Sequence, residues 1–268
     1  MNEKDLQRLK EARIMDDNFG RIVLQDKNSG LELLRILGII DETSVIMHYE
    51  TQADINNMNN RSIVLDIYVI NEQSEIDIEI ENKKERAIAK RARLYASEMD
   101  VHMSYKGMDY QKLPNNIVIF ICSFDFFKEG LPLYTIQRMV KELNIEFRDG
   151  SVILYLNTTY KGNDKLSRLY HDLYCNIPDE IENEILRNRL KYLKETKGGQ
   201  DEMCKIWDDV RKEGHEKGLA EGHEKGKIEE RINSIKHIME SLQCDVEKAL
   251  QLLCIPETEW NDLKKSFE

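Results

Sequence analysis

The sequence predicts an α/β fold with a helical C-terminal extension, on the strength of three stretches. Residues 62 to 83 join an apolar run to a segment in which acids alternate with isoleucine, the pattern of a strand hairpin. Asn116 to Phe124 is a nearly continuous apolar run, as in a strand buried on both faces. From Lys165 onward the sequence is rich in helical patterns and poor in strand patterns.

The elements follow in order. Residues 3 to 15 read as an amphipathic helix. Leu31 to Ile39 reads as a second helix, preceded by an Asn28-Ser29-Gly30 turn and stopped near Gly38. A strand is expected at 45 to 51, then a turn over Asn56 to Asn60, the two hairpin strands, and a helix over 86 to 104. After the buried strand, the Asp149-Gly150 turn introduces a strand over Ser151 to Asn157. Three regions result: an α/β domain over residues 1–195, a charged segment over 196–230 and a helical module over 231–268. In the middle region glycine recurs every four residues (Gly214, Gly218, Gly222, Gly226), which suits either a marginal helix or a linker. The module carries apolar periodicity from Ile235 to Leu242, a helix from Val246 to Leu253, and a turn with an N-capped third helix around Ile255 to Trp260.

Composition excludes several classes of function. No apolar run is long enough to cross a bilayer and the first ten residues lack the apolar core of a leader, so a cytoplasmic protein is expected. Five scattered cysteines, odd in number and without a Cys-x-x-Cys, argue for reduced thiols and against structural zinc or a cysteine nucleophile. The histidines are isolated or lie on a polar helix. A formal net charge of −11 disfavours a tight, sequence-independent grip on nucleic acid by the molecule as a whole. Locally the balance reverses. Lys83, Lys84, Arg86, Lys90, Arg91 and Arg93 face only Glu85 over the same stretch.

The candidate chemistry sits in the hairpin. Alternation puts Ile76, Ile78 and Ile80 on one face of the second strand and Asp77, Glu79, Glu81 and Lys83 on the other. Neighbouring like charges repel, so the row needs a counter-charge, and a hard divalent cation is a natural one. On the first strand Asp66 stands among Leu65, Ile67 and Val69, where a carboxylate is costly unless paired or metal-bound.

Several segments, taken in order, resemble the PD-(D/E)XK nuclease-type transposases, also called recombination-promoting nucleases. They include residues 15–19, 61–68 with Asp66, the Ile78-Glu79-Ile80-Glu81 strand, 90–97, 118–125, 130–134, and the strand from Asp149-Gly150 to Thr158. The likeness spans roughly residues 12–195. It implies a restriction-endonuclease-like core, a central mixed sheet flanked by helices, and a DNA endonuclease that uses Mg2+ or Mn2+. Asp66 and Glu79 become the metal-binding acids, with the Ile80 carbonyl as a further ligand. Glu32 takes either the role of a helix acid aimed at the metal or that of an exposed surface acid. Arg91 and Tyr95, one turn apart on the basic helix, become phosphate or DNA contacts, with Lys90 and Arg93 as alternatives. Two residues after Glu79, where enzymes of this superfamily carry lysine, this sequence has Glu81. The catalytic set is therefore Asp66, Glu79 and either Glu81 or Lys83, the latter expected to keep the same strand face. The alternative is a nuclease fold without catalysis that binds DNA or a protein. The C-terminal helices would serve self-association, giving a homo-oligomer, or hold DNA.

Overall fold

Isoleucine and valine crowd the strand segments because β-branched side chains pack well on a pleated surface, and here they build a six-stranded mixed sheet. A computed structural model describes residues 3–55, 63–84 and 88–256, together with Trp260, Leu263, Ser266 and Phe267. The turn expected at Asn56 to Asn60, Arg61, Ser62, Arg86 and the start of the third C-terminal helix fall outside the described residues.

Helices α1 (Glu3–Glu11), α2 (Asp17–Gln25) and α3 (Lys27–Leu37) precede strands β1 (Ile46–Ile55), β2 (Ile63–Asn71) and β3 (Ser74–Glu81). Helix α4 (Ile88–Met103) then crosses to β4 (Asn115–Cys122). Three short strands, β5 (Leu133–Ile136), β6 (Met139–Val140) and β7 (Ile145–Glu146), lead to β8 (Ser151–Asn157). Helices α5 (Lys165–Tyr174), α6 (Glu184–Glu195), α7 (Lys197–Leu242) and α8 (Val246–Leu252) complete the chain's main elements. The sheet order is β1-β2-β3-β4-β8-β5. β1, β2 and β3 run as an antiparallel meander; β3, β4 and β8 are mutually parallel, and β5 closes the far edge antiparallel to β8. Parallel neighbours need a crossover, and α4 is the one between β3 and β4.

Helix α4 covers one face of the sheet. Its Ile88, Ala92, Ala96 and Met99 recur at helical spacing and pack with Tyr68, Val118, Phe120, Cys122 and Tyr155. Alternation sends Ile76, Ile78 and Ile80 to the opposite face, toward α2, which lies against β1, β2 and β3. Gly20 makes that approach close. A Cβ there would stand 2.0 Å from the Ile14 carbonyl oxygen and 2.7 Å from Ile80 Cδ1.

The structure revises several expectations. The N-terminal helix stops at Glu11 instead of running to residue 15, and the following helix, α2, has no counterpart in the sequence reading. Asn28-Ser29-Gly30 is not a turn but the first part of α3. Asp26 caps that helix by accepting from the Ser29 N–H at 2.9 Å, so turn-prone residues are absorbed into its N-terminus. β3 ends at Glu81, so the alternation stops short of Lys83. The glycine repeat lies within one continuous helix, α7.

The chain divides into two compact units, Met1–Asp201 and Glu202–Glu268. The second has its own buried cluster of Ile235, Ala249, Leu250 and Leu263, with Trp260 and Phe267 packed against it. Among the described residues no helix is long and apolar enough to cross a membrane.

Candidate functional site

The β2–β3 ladder ends at the Ile67–Ile78 pair, and two carboxylates take over where backbone pairing stops. The Asp66 N–H donates to Glu79 Oε1 at 2.9 Å, and the Ile80 N–H donates to Asp66 Oδ2 at 3.3 Å. Each acid thus accepts from the other's strand. The arrangement satisfies two backbone donors and holds the two side chains together in the interior.

Two residues that sequence reasoning missed complete the surroundings of Asp66. Arg21, on α2, places Nη2 2.9 Å from Asp66 Oδ1. The Gln52 side-chain amide donates to the same oxygen at 3.0 Å. Gln52 lies inside β1 with φ of 55°, a left-handed conformation that side chains other than glycine adopt at a cost. The β1–β2 register is continuous on either side, Thr51 with Ile67 and Ala53 with Leu65, so the strain is local and aims one amide at Asp66.

On β3, Glu75, Asp77, Glu79 and Glu81 are all buried on the face that α4 covers. Burial, then the charges of Glu79 and Asp66, raise Asp77 well above the usual carboxylate range; both its oxygens are buried without a hydrogen-bond partner among the described residues. Burial first, and the Asp66 charge second, push Glu79 up to about 8. Glu75 is pushed up to about 7 by burial; it accepts from the Tyr68 hydroxyl at 2.9 Å and from the Asn116 amide at 3.4 Å. Asn116 also donates to the Ala96 carbonyl at 2.7 Å, tying this acid to α4.

Glu81 has a different partner. Arg91 of α4 pairs with its Oε2 and places Nη2 4.0 Å from Glu79 Oε2. The guanidinium carbon lies 5.2 Å from the Phe120 ring centroid and 5.8 Å from that of Tyr95, so aromatic faces steer the cation toward the acids. Burial, then the Glu79 charge, push the Tyr95 hydroxyl up to about 12.

Arg21, Gln52, Asp66, Glu79, Glu81, Lys83, Arg91 and Tyr95 line one cavity of about 270 Å³. Of the expected site residues, Asp66, Glu79, Glu81, Lys83, Arg91 and Tyr95 therefore come together around this cavity. Lys83 reaches the cavity from beyond the end of the strand and is exposed, whereas Lys90 and Arg93 are exposed on the outer side of α4 and do not line it. Glu32 is not among them. It lines a larger cavity of about 900 Å³ at the other end of the hairpin, around Asn71 to Ser74, and accepts from the Asn183 amide at 2.8 Å. That cavity is larger but lacks the row of buried acids, and the smaller one is the stronger candidate.

Among the described residues no group of three or more histidine, cysteine or acid side chains is set to hold a metal ion. Asp66 and Glu79 still offer a pair of hard oxygen donors, and magnesium-type ions use one or two carboxylates and keep several waters. Glu75 lay within reach of sequence reasoning, since it extends the alternation by one step. Nothing in the sequence singles out Arg21 or Gln52.

The family model described as PD-(D/E)XK nuclease family transposase matches residues 35–204, more than half of the chain. No curated protein and no solved structure matches.

Proposed function

The chain belongs to the PD-(D/E)XK nuclease family of transposases, and from that premise we propose that it is a metal-dependent DNA endonuclease of the recombination-promoting type, acting in the cytoplasm. The observation that carries this reading is the mutual bonding of Asp66 and Glu79 across the open end of the β2–β3 ladder. Burial and crowding that raise Asp77 and Glu79 describe a site short of positive charge, which fits a divalent cation, Mg2+ or Mn2+. Held by Asp66, Glu79 and the Ile80 carbonyl, that cation would supply an activated water and offset charge developing on the phosphodiester.

The chain's own residues do the rest. Arg91 brings a permanent cation beside Glu79 and Glu81 and offers charge-assisted hydrogen bonds to a phosphate, although it does not release a proton at working pH. Lys83 adds a further cation at the cavity wall. Lys90 and Arg93 face solvent on the same helix and suit the DNA backbone, which gives affinity without sequence preference. The C-terminal unit serves self-association or holds DNA.

One observation favours a second reading. Glu81 stands where enzymes of the superfamily have lysine, and Arg91 already engages it, so the fold could act as a DNA- or protein-binding module without cleavage. Plasmid cleavage with Mg2+ or Mn2+ separates the two. Wild type is expected to cut, and Asp66→Ala and Glu79→Ala to cut slower by roughly 100-fold or more, the scale of removing a group that stabilises transition-state charge. Cleavage that survives both substitutions would sink the site, and no cleavage by wild type would favour the binding module.

A further inference from the structure

Arg21 precedes the residues that the family model matches, and no part of the proposed reaction has yet used it. We infer that Arg21 is a built-in cation that restricts the Asp66–Glu79 site to a single divalent ion. The inference rests on the endonuclease reading and concerns how many ions that site takes.

Two observations carry it. Asp66 Oδ1 accepts from both Arg21 Nη2, at 2.9 Å, and the Gln52 amide, at 3.0 Å, so that oxygen is committed to protein donors. The remaining acceptor capacity of the pair lies on Asp66 Oδ2, whose one bond among the described residues is a 3.3 Å contact from the Ile80 N–H, and on Glu79 Oε2, 4.0 Å from Arg91. One edge of the acid pair is therefore closed by a guanidinium and the other is available.

The close approach of α2 makes the arrangement deliberate. With Gly20 against Ile14 and Ile80, the helix sits near enough for the next residue to reach Asp66, and Arg21 keeps that contact while its side chain is 40 % exposed. A guanidinium keeps its charge at any working pH, so it repels a second ion under all conditions in which the acids are ionised.

Mn2+ titration of the full chain, followed by electron paramagnetic resonance and by calorimetry, tests this without relying on cleavage. Wild type should bind one Mn2+ per chain. Arg21→Gln should bind Mn2+ roughly tenfold tighter, the effect of removing one nearby like charge. Arg21→Glu, which adds a carboxylate on the closed edge, should bind two with the line broadening of neighbouring spins. Two ions on wild type, or an Arg21→Gln protein with wild-type affinity, would overturn the inference; so would a single ion on an Arg21→Glu protein that melts like wild type. Should Arg21→Glu fail to fold, Arg21→Gln decides. Failure of the endonuclease reading looks different: wild type would bind no Mn2+, or would keep its ion in Asp66→Ala.

Discussion

Arg91 shows how one side chain serves both folding and the site. It is the cation for Glu81, a buried acid, and removing one partner of a buried pair leaves a charge without compensation. Arg91→Ala is expected to cost on the order of 3 kcal/mol in a urea melt. Arg91→Lys should recover much of that stability and still cleave poorly, because an ammonium lacks the planar fork that the Phe120 and Tyr95 rings orient. A Lys variant with full activity would leave Arg91 a structural role alone. At this scale the sequence was informative about the acids, since strand alternation alone puts Glu79 and Glu81 on one face. It was silent about Arg21 and Gln52. An arginine on an amphipathic helix looks solvated, and the positive φ that aims Gln52 has no signature in a residue that normally avoids it.

Among the elements, α2 has the tightest fit. Gly20→Ala would put a methyl group 2.0 Å from the Ile14 carbonyl oxygen, and because that neighbour is backbone the helix must shift. Overpacking of this kind costs about 1–3 kcal/mol. The displaced helix should also loosen Arg21 from Asp66, so the variant is expected to bind Mn2+ more tightly as well as melt earlier, which a thermal melt paired with the Mn2+ titration would read. The long elements were legible because apolar periodicity had room to repeat: β4, β8 and α4 fall within two residues of their expected bounds. β5, β6 and β7 are two to four residues long and carry too little pattern to announce themselves. The start of α3 reads as a turn because Asn, Ser and Gly are turn residues in isolation, and the Asp26 cap draws them into the helix.

For the molecule as a whole, the acid row makes stability depend on pH. Glu75 moves from an ordinary value of 4.5 to about 7 on folding, and Glu79 to about 8, so between those limits the folded chain holds protons that the unfolded chain has released. The stabilisation is fully present below about 4.5 and is lost as pH rises through 7 to 8. Each acid adds a slope of at most ~1.4 kcal/mol per pH unit over its own window. Urea melts of the metal-free protein should therefore weaken from pH 5.5 to pH 8, and Glu75→Gln should flatten the lower part of that curve. A wild-type curve that is flat or rises over this range would contradict the burial of uncharged acids under α4.

The division into two units also sorts the chromophores. Both tryptophans, Trp207 and Trp260, fall in Glu202–Glu268, and all eleven tyrosines fall in Met1–Asp201. Fluorescence excited on the red edge of tryptophan absorption therefore reports the C-terminal unit alone, while the near-ultraviolet dichroism of tyrosine reports the unit that contains Asp66. Unfolding of the two can be watched separately in the unmodified chain, without a label or a truncation.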